Sequence, residues 1–294
     1  MPSAYLFCPA YPLRDQDQLS RALASARAFA DSVGHELIAS PDIAGWGADG
    51  AWPDADLRRR DFERALGHDL IIAARGGYGC TDLAATASAH GGRLPLLVGY
   101  SDLTVLHAVW RGRGAGESLY GFMPAAAPGE RSLESASALA RGEGLAFDSR
   151  TMPDVAVLRA GSARGPLFAA CLRVLASLCG TPLMPPLRGC ILALEDIDER
   201  PYQIDRDLAQ LGLAGALDGV VGLVFGSFRS QPRAGYGGPD ARDICRRWAE
   251  RRGLPAIQAL PFGHDEDPVT LACGREASLD CGPGHWSLRI HRRG

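Results

Sequence analysis

Two kinds of hydrophobic pattern alternate along the first half of the chain. Short apolar runs are separated by segments in which apolar residues recur every three or four positions, as between Leu19 and Val33. In α/β proteins, strands that are apolar throughout belong to parallel sheets covered by helices on both faces. We therefore predict an α/β fold with a mostly parallel N-terminal sheet sandwiched between helices. The predicted strands are Tyr5–Ala10, Glu36–Ala39, Leu70–Ala74 and Leu94–Val98, with a loop rich in glycine, tryptophan and proline at 43–53.

The pattern changes after about residue 140. Glycines and prolines interrupt the chain there without long periodic segments, which is typical of a connection between domains. Strand signals then cluster toward the C-terminus, which favours a mixed, β-rich domain. We predict an N-terminal α/β domain over 1–145, a linker over 146–165 and a smaller β-rich C-terminal domain over 166–294. The elements predicted in the second half are helices at Leu167–Leu178, from about Tyr202 and at Asp240–Arg251, and strands at Cys190–Leu194 and Val220–Phe225.

The composition is that of a globular protein and argues against several kinds of partner. Hydrophobic residues make up 46% of the 294 residues and charged residues 22%, and the net charge is −3. A chain with this slightly negative charge lacks the excess of basic residues that binding to nucleic acid or to an anionic membrane requires. No apolar run reaches 18 residues, and the first residues lack the charged segment of a signal peptide. We expect a cytoplasmic protein without a nucleic-acid or membrane partner.

The eight cysteines indicate neither a disulfide framework nor a metal site. None forms a C-x-x-C pair or a cysteine–histidine cluster with the spacing of zinc ligands. Several lie within apolar runs, where a free thiol behaves as a small hydrophobic side chain. This usage favours a reducing compartment, and we expect no metal and no cofactor.

Two turns after predicted strands could hold a ligand, because open α/β sheets bind ligands beyond the carboxyl ends of their strands. The first is the glycine-rich Arg75-Gly76-Gly77-Tyr78-Gly79, whose backbone can closely approach an oxyanion or a phosphate. The second is Gly99-Tyr100-Ser101-Asp102. Ser101 has two interpretations there: a cap for the helix that follows, or a nucleophile exposed where the strand becomes a helix.

A serine nucleophile needs a base and a carboxylate from elsewhere in the chain. His264 is a candidate base because it lies in a loop between strand signals, whereas His107 lies six residues further along the helix than Ser101, too distant to act on it. Glu195 directly follows an apolar strand and so needs a buried partner, either a histidine N–H or a basic residue such as Arg206. The local sequence alone leaves each of these roles open.

Taken together, these segments resemble the LD-carboxypeptidase family of serine peptidases. Five motifs of the family occur here in the same order, over about 200 residues. They are ARGGYG at 74–79, GYSD-[IL]-T-x-LH at 99–107, a run ending in GTP at 174–182, LEDV…PY-x-IDR at 194–206, and P-x-GH…TL at 261–271. The resemblance therefore extends over nearly the whole chain.

The resemblance implies a Ser-Glu-His triad of Ser101, Glu195 and His264, acting without a metal. It also implies a homodimer in the bacterial cytoplasm that cleaves the bond between a diamino acid and the terminal D-alanine of recycled murein peptides. For the oxyanion we expect the backbone N–H groups of Gly77 and Asp102. For the terminal carboxylate of the substrate the candidate is Arg75. A purely structural role, in which this arginine ties down its turn, is the alternative.

Two segments depart from the family pattern. Ala169-Ala170-Cys171 stands where two glycines and an asparagine are usual, and Tyr120-Gly121-Phe122-Met123 stands where HGPM is usual. If both segments line the cleft, the cleft is tighter and less polar. Two alternatives therefore stay open beside a murein carboxypeptidase: an immunity-type peptidase for peptide–nucleotide antibiotics of the microcin C kind, and a non-catalytic binding protein. Asp102 favours the murein carboxypeptidase, and the intact set of Ser, Glu and His argues against a binding protein.

Overall fold

A computed structural model of the protein describes residues 1–44, 54–114, 117–229 and 235–294, so most of the loop predicted at 43–53 lies outside the described residues. The described strands are β1 (Ser3–Phe7), β2 (Glu36–Ala39), β3 (Leu70–Ala73), β4 (Leu96–Gly99), β5 (Ser118–Tyr120), β6 (Leu145–Asp148), β7 (Ala156–Arg159), β8 (Gly161–Cys171), β9 (Ile191–Ile197), β10 (Gly222–Arg229), β11 (Ala256–Gln258), β12 (Leu271–Cys273), β13 (Glu276–Gly282) and β14 (His285–Ile290). The described helices are α1 (Gln16–Ser32), α2 (Ala55–Ala65), α3 (Ala84–Ala89), α4 (Thr104–Gly112), α5 (Glu130–Ala140), α6 (Leu172–Ser177), α7 (Pro201–Leu213) and α8 (Ala241–Arg252), with short 3-10 helices at Cys80–Leu83, Ser101–Leu103 and Pro124–Ala126.

The N-terminal half forms a six-stranded sheet with the order β12-β5-β4-β3-β1-β2. Its first five strands in the sequence are parallel to one another, as the apolar runs predict. The short strand β12 comes from the C-terminal half and pairs antiparallel with β5. The mostly parallel α/β fold predicted for this half is confirmed, and its edge is completed by a distant part of the chain.

Helices cover both faces of this sheet. Helices α1 and α5 pack against each other and form one group. Helices α2, α3 and α4 form the second group, in which α3 packs against α4 and all three contact the 3-10 helix Cys80–Leu83. The chain runs from β1 outward to β2 and then back across to β3, so right-handed crossovers place the two groups on opposite faces. The reversal between β1 and β3 is the kind of position at which α/β sheets bind ligands.

The second sheet has eight strands in the order β6-β14-β13-β8-β9-β10-β11-β7. Its centre is parallel, from β8 to β11, and its flanks are antiparallel. The predicted mixed, β-rich character of the C-terminal half is therefore confirmed. The stretch predicted as a linker at 146–165 holds most of β6, all of β7 and the start of β8, which all belong to this sheet.

The helix predicted at Leu167–Leu178 is wrong over its first five residues. Residues 167–171 finish strand β8 and pair with β9, and helix α6 begins only at Leu172. These five residues are all buried, with exposed fractions of 5% or less. A short, fully apolar run gives the same signal for a buried strand as for a buried helix, so the hydrophobic pattern could not distinguish them.

The two sheets meet at the carboxyl ends of their parallel strands. Strand β4 ends at Gly99, just before Ser101, and β9 carries Glu195 near its end. The chain that leaves β11 reaches His264 six residues later. Within the described residues, no helix is long and apolar enough to cross a membrane.

Candidate active site

Ser101 lies at a sharp strand-to-helix turn. It directly follows the extended residue Tyr100 and begins the 3-10 helix Ser101–Leu103. Its backbone φ is +68°, a left-handed conformation that is strained for serine and typical of a nucleophile elbow. The helix-cap interpretation is wrong, because Tyr100 occupies the cap position and no side chain caps this helix. The turn therefore exposes the serine side chain instead of using it to begin the helix.

The glycine-rich turn packs directly against this elbow. A Cβ atom on Gly76 would lie 3.1 Å from Cβ of Ser101, and one on Gly77 would lie 2.3 Å from the Tyr11 ring. Gly77 also has a φ of +130°, which side chains rarely allow. On the other side of the turn, the buried Asp102 carboxylate accepts a hydrogen bond from the Cys80 backbone N–H at 2.8 Å. The glycines thus allow a close approach, and Asp102 fixes the end of the turn.

Glu195 and His264 are hydrogen-bonded to each other. The Glu195 side chain is fully buried, and its Oε2 accepts from Nδ1 of His264 at 2.8 Å and from the His264 backbone N–H at 3.1 Å. The other oxygen, Oε1, accepts from the hydroxyl of Tyr120 at 2.6 Å. Of the two partners considered for Glu195, the structure has the histidine, while the guanidinium of Arg206 lies over the Tyr202 ring.

This pairing sets the state of the His264 ring. Because a carboxylate only accepts, Nδ1 carries a proton, and the lone pair of the neutral ring is on Nε2. Burial lowers the pKa of His264, but the charge of Glu195 and its hydrogen bond outweigh burial, so the pKa is raised above its usual 6.5. The preceding Gly263 makes the contact possible, since a Cβ there would lie 2.2 Å from Cδ of Glu195.

Ser101 and His264 line the same cavity, whose volume is about 480 Å³. Tyr100 also lines this cavity, and its ring lies edge-on to the imidazole of His264 at 5.1 Å between centroids. Among the hydrogen bonds of the described residues, none joins the Ser101 hydroxyl to the His264 ring. Hydrogen bonds of this kind are often long in free enzymes and shorten when substrate binds. The elbow and the Glu195–His264 pair therefore face one space.

Two arginines make one wall of the cavity positive. Arg75 and Arg14 both line it, as does Gln18. Arg75 donates to the Pro12 carbonyl at 2.7 Å and lies over the Tyr11 ring. Burial and the charge of Arg14 lower the pKa of Arg75. In the parts of the chain that the structure describes, no group of three or more His, Cys, Asp or Glu side chains is arranged to hold a metal ion.

The two segments that depart from the family pattern lie in different places. Ala169, Ala170 and Cys171 are buried in β8 and are not part of the cavity wall, and the Cys171 N–H donates to the Thr104 hydroxyl at 3.0 Å. Of the second segment, Met123 lines the cavity. The expectation of a cleft shaped by both segments is therefore wrong for 169–171, which form part of the core.

Sequence reasoning missed Arg14, and it named Tyr120 only as part of the segment 120–123 without predicting its contacts with Glu195 and Ser101. Arg14 lies in a polar stretch before α1, where no motif marks it. Tyr120 ends β5, a strand of three residues that is too short for a periodic signal. A signal for Tyr120 did exist, because it ends the strand next to β4 in a sheet whose carboxyl edge holds the ligand site.

Comparison with known families covers most of the chain. Residues 5–121 match the LD-carboxypeptidase N-terminal domain, and residues 164–279 match the LD-carboxypeptidase C-terminal domain. The murein tetrapeptide carboxypeptidase of Pseudomonas aeruginosa is 30% identical over 249 residues, which are 79% of this chain and 80% of that protein.

Solved structures agree with this family. The muramoyltetrapeptide carboxypeptidase from Oxalobacter formigenes superposes with a TM-score of 0.78 and 28% identity, over 99% of this chain and all of that chain. The microcin C7 self immunity protein superposes with a TM-score of 0.79 over 99% of this chain and 96% of its own. At 17% identity, the second likeness shows the shared fold alone.

Proposed function

The chain belongs to the LD-carboxypeptidase family and is a hydrolase, and we propose that it releases the terminal D-alanine of murein tetrapeptides. The bond cleaved joins the L-centre of a diamino acid to that D-alanine. In this proposal Ser101 is the nucleophile, His264 the general base and acid, and Glu195 the residue that orients the histidine.

One observation carries the proposal. A fully buried glutamate holds Nδ1 of a histidine at 2.8 Å, and that histidine shares a cavity with a serine in a strained left-handed turn. Burying a carboxylate is unfavourable unless it is paired, and holding serine at φ +68° is unfavourable as well. The pairing that the buried Glu195 requires orients His264, and the strained turn holds Ser101 at the same cavity. Both features favour nucleophilic catalysis over a binding role.

The chemistry follows from the state of the His264 ring. Its Nε2 lone pair takes the proton of the Ser101 hydroxyl while Oγ bonds to the carbonyl carbon of the diamino acid. The C–N bond then breaks, and His264 returns the proton to the nitrogen of the departing D-alanine. In deacylation, His264 takes a proton from water as the water oxygen bonds to the acyl carbon, and it then returns the proton to Oγ of Ser101 as the ester bond breaks. Glu195 keeps Nδ1 protonated and stabilises the imidazolium that forms in between.

The oxyanion formed in each step requires donors beside Ser101. We propose the backbone N–H groups of Gly77 and Asp102, which lie on the glycine-rich turn and on the residue after the nucleophile. The close packing of Gly76 against Ser101, at 3.1 Å for an added Cβ, supports this assignment. We further propose that Arg75 binds the terminal carboxylate, since a guanidinium matches a carboxylate with two parallel hydrogen bonds.

We also propose that the protein acts in the bacterial cytoplasm as a homodimer. All eight cysteines lie in described parts of the chain as free thiols, and seven are buried. This usage fits a reducing compartment, because secreted proteins tend to pair their cysteines. The homodimer rests on resemblance to the family, and sedimentation of the purified protein would test it.

The test is release of D-alanine from purified murein tetrapeptide, followed in parallel for the wild type, Ser101→Ala and a control, Ser20→Ala. Ser20 lies on the exposed face of α1 and bonds only within its helix. We expect release by the wild type and the control and none above background by Ser101→Ala. A wild type that releases no D-alanine but cleaves a peptide–nucleotide conjugate would replace this substrate with that of the immunity-type relatives. Equal release by wild type and Ser101→Ala would refute the proposed nucleophile.

A further inference from the structure

The hydroxyl group of Tyr120 connects the turn that carries Ser101 to the Glu195–His264 pair. It ends β5, directly beside Gly99 at the end of β4, and its side chain is fully buried. The hydroxyl donates to Oε1 of Glu195 at 2.6 Å and accepts from the backbone N–H of Ser101 at 3.2 Å. A continuous chain of hydrogen bonds therefore runs from the Ser101 backbone through Tyr120 and Glu195 to the ring of His264.

We infer that Tyr120 is a positioning residue that orients the Glu195 carboxylate toward His264 and holds the backbone of Ser101 in its turn. This inference rests on the proposed function, in which those three residues do the chemistry. A hydroxyl has one proton, and that of Tyr120 is donated in the hydrogen bond to Glu195. The lone pairs of the same oxygen are therefore free to accept from the backbone N–H of Ser101. Tyr120 thus fixes the distance between the nucleophile's backbone and the carboxylate.

Tyr120 remains the donor in its hydrogen bond to Glu195 across the neutral pH range. Burial and the nearby charge of Glu195 raise the pKa of the Tyr120 phenol far above its usual value, so it stays a donor. Its ring is held by packing against His107 and Phe262. A residue with so little freedom can position a carboxylate without loss of side-chain entropy at each turnover.

The bond also has an electrostatic consequence at His264. Donation by Tyr120 stabilises the negative charge of Glu195, so the carboxylate attracts the imidazole proton less strongly. Removing the hydroxyl should therefore raise the pKa of His264. The other titratable or charged groups that act on His264 are Asp196 and Arg229, and the titratable groups close to Tyr120 are the Cys171 thiol and the His107 ring.

A purely structural tyrosine would affect folding but not this pKa, and the chain offers a matched control. Tyr5 donates to the buried Asp61 carboxylate at 2.6 Å, the same length as the Tyr120 bond, and lies outside the candidate site. Tyr5→Phe therefore removes an equivalent buried bond. Comparing Tyr120→Phe with Tyr5→Phe separates the loss of a buried hydrogen bond from the loss of positioning.

The experiment measures D-alanine release from murein tetrapeptide as a function of pH for the wild type and both variants. We expect Tyr120→Phe to lower kcat by about 10- to 100-fold, the effect of one lost hydrogen bond to a charged group, with little change in KM. The acid limb of its kcat/KM profile should move to higher pH. Tyr5→Phe should keep the wild-type kcat and profile. A wild-type kcat and profile in Tyr120→Phe would overturn the inference.

Two further measurements keep the result decisive. If the wild type releases no D-alanine, the proposed function fails, and the His264 pKa measured by NMR still tests the inference: it should rise in Tyr120→Phe and stay unchanged in Tyr5→Phe. If Tyr120→Phe does not fold, 3-fluorotyrosine at position 120 replaces it. Fluorine acidifies the phenol and strengthens its donation, so the His264 pKa should fall, and an unchanged pKa would refute the role.

Discussion

His264 is held by Glu195 at two points, because its ring Nδ1 and its backbone N–H both donate to the same oxygen, Oε2. The ring and the backbone of the loop are therefore positioned together by one carboxylate. Gly263 allows this approach, since any side chain there would overlap Glu195. The loop that carries the histidine is thereby attached to the buried end of β9, and the imidazole cannot turn away without breaking a charged hydrogen bond.

This relationship predicts the pH dependence of activity. The general base must be neutral, and Glu195 raises the pKa of His264 above 6.5, so kcat/KM should fall as the pH drops through a midpoint above 6.5. In Glu195→Gln the raising charge is gone and burial lowers the pKa, so the midpoint should move below 6.5. The same change should lower kcat by about 10⁴, because the amide can stabilise the wrong tautomer. The pH profile of D-alanine release checks both, and an unmoved midpoint would contradict the role of Glu195.

The strained turn at Ser101 makes a prediction about stability. Both Ser101→Gly and Ser101→Ala remove the nucleophile, but only glycine adopts a φ of +68° without strain. We expect Ser101→Gly to be more stable than Ser101→Ala by about 1 kcal/mol, with both inactive. Urea unfolding of the two variants measures this difference. Equal stabilities would show that the turn is relaxed and that its geometry stores no strain.

The residues of the candidate site could be located from the sequence because each has a local signal. Ser101 and Glu195 come at the ends of apolar strands, and His264 lies in a loop bounded by strand signals. In a parallel sheet such positions lie at the carboxyl edge where ligands bind, which marks each of these residues as a candidate. Their mutual geometry needed the fold, since it depends on two different sheets meeting.

Two features of the fold and the site could not be predicted, because they depend on contacts between segments that are distant in the sequence. Strand β12 completes the first sheet although it lies some 150 residues from β5, and a three-residue strand has no period from which to infer its partner. The role of Tyr120 has the same origin, because Glu195 is 75 residues away. The buried end of β8 gives the same hydrophobic signal as a helix, because both structures bury such a run equally well.

His107 gives a second pH prediction, for stability rather than activity. The fully buried ring donates from Nε2 to the Gly99 carbonyl at 2.9 Å and accepts at Nδ1 from the Ser118 hydroxyl at 2.7 Å. Burial lowers its pKa to about 4. The unfolded chain, in which the pKa is near 6.5, binds a proton first as the pH falls, so stability is lost between 6.5 and 4.

The variant His107→Gln isolates this effect, because it keeps one donor and one acceptor but does not titrate. Between pH 7.5 and 4.5 the wild type should lose about 2–3 kcal/mol more of its unfolding free energy than the variant. Urea unfolding at the two pH values measures the difference. If both proteins lost the same unfolding free energy between the two pH values, His107 would take up its proton as readily in the folded as in the unfolded chain. That result would contradict the neutral ring that its two hydrogen bonds indicate.

The remaining prediction concerns Arg75, whose two possible roles have different kinetic signatures. If its guanidinium binds the substrate's terminal carboxylate, Arg75→Ala should raise KM for murein tetrapeptide by about 10- to 100-fold, with a smaller effect on kcat. A substrate ending in D-alanine amide lacks that charge, so wild type and variant should bind it equally. If Arg75 only ties the turn down through the Pro12 carbonyl, its loss should displace Gly77 and lower kcat for both substrates alike. Arg75→Lys serves as the control, since it keeps the charge but not the paired donors and should recover part of the lost affinity.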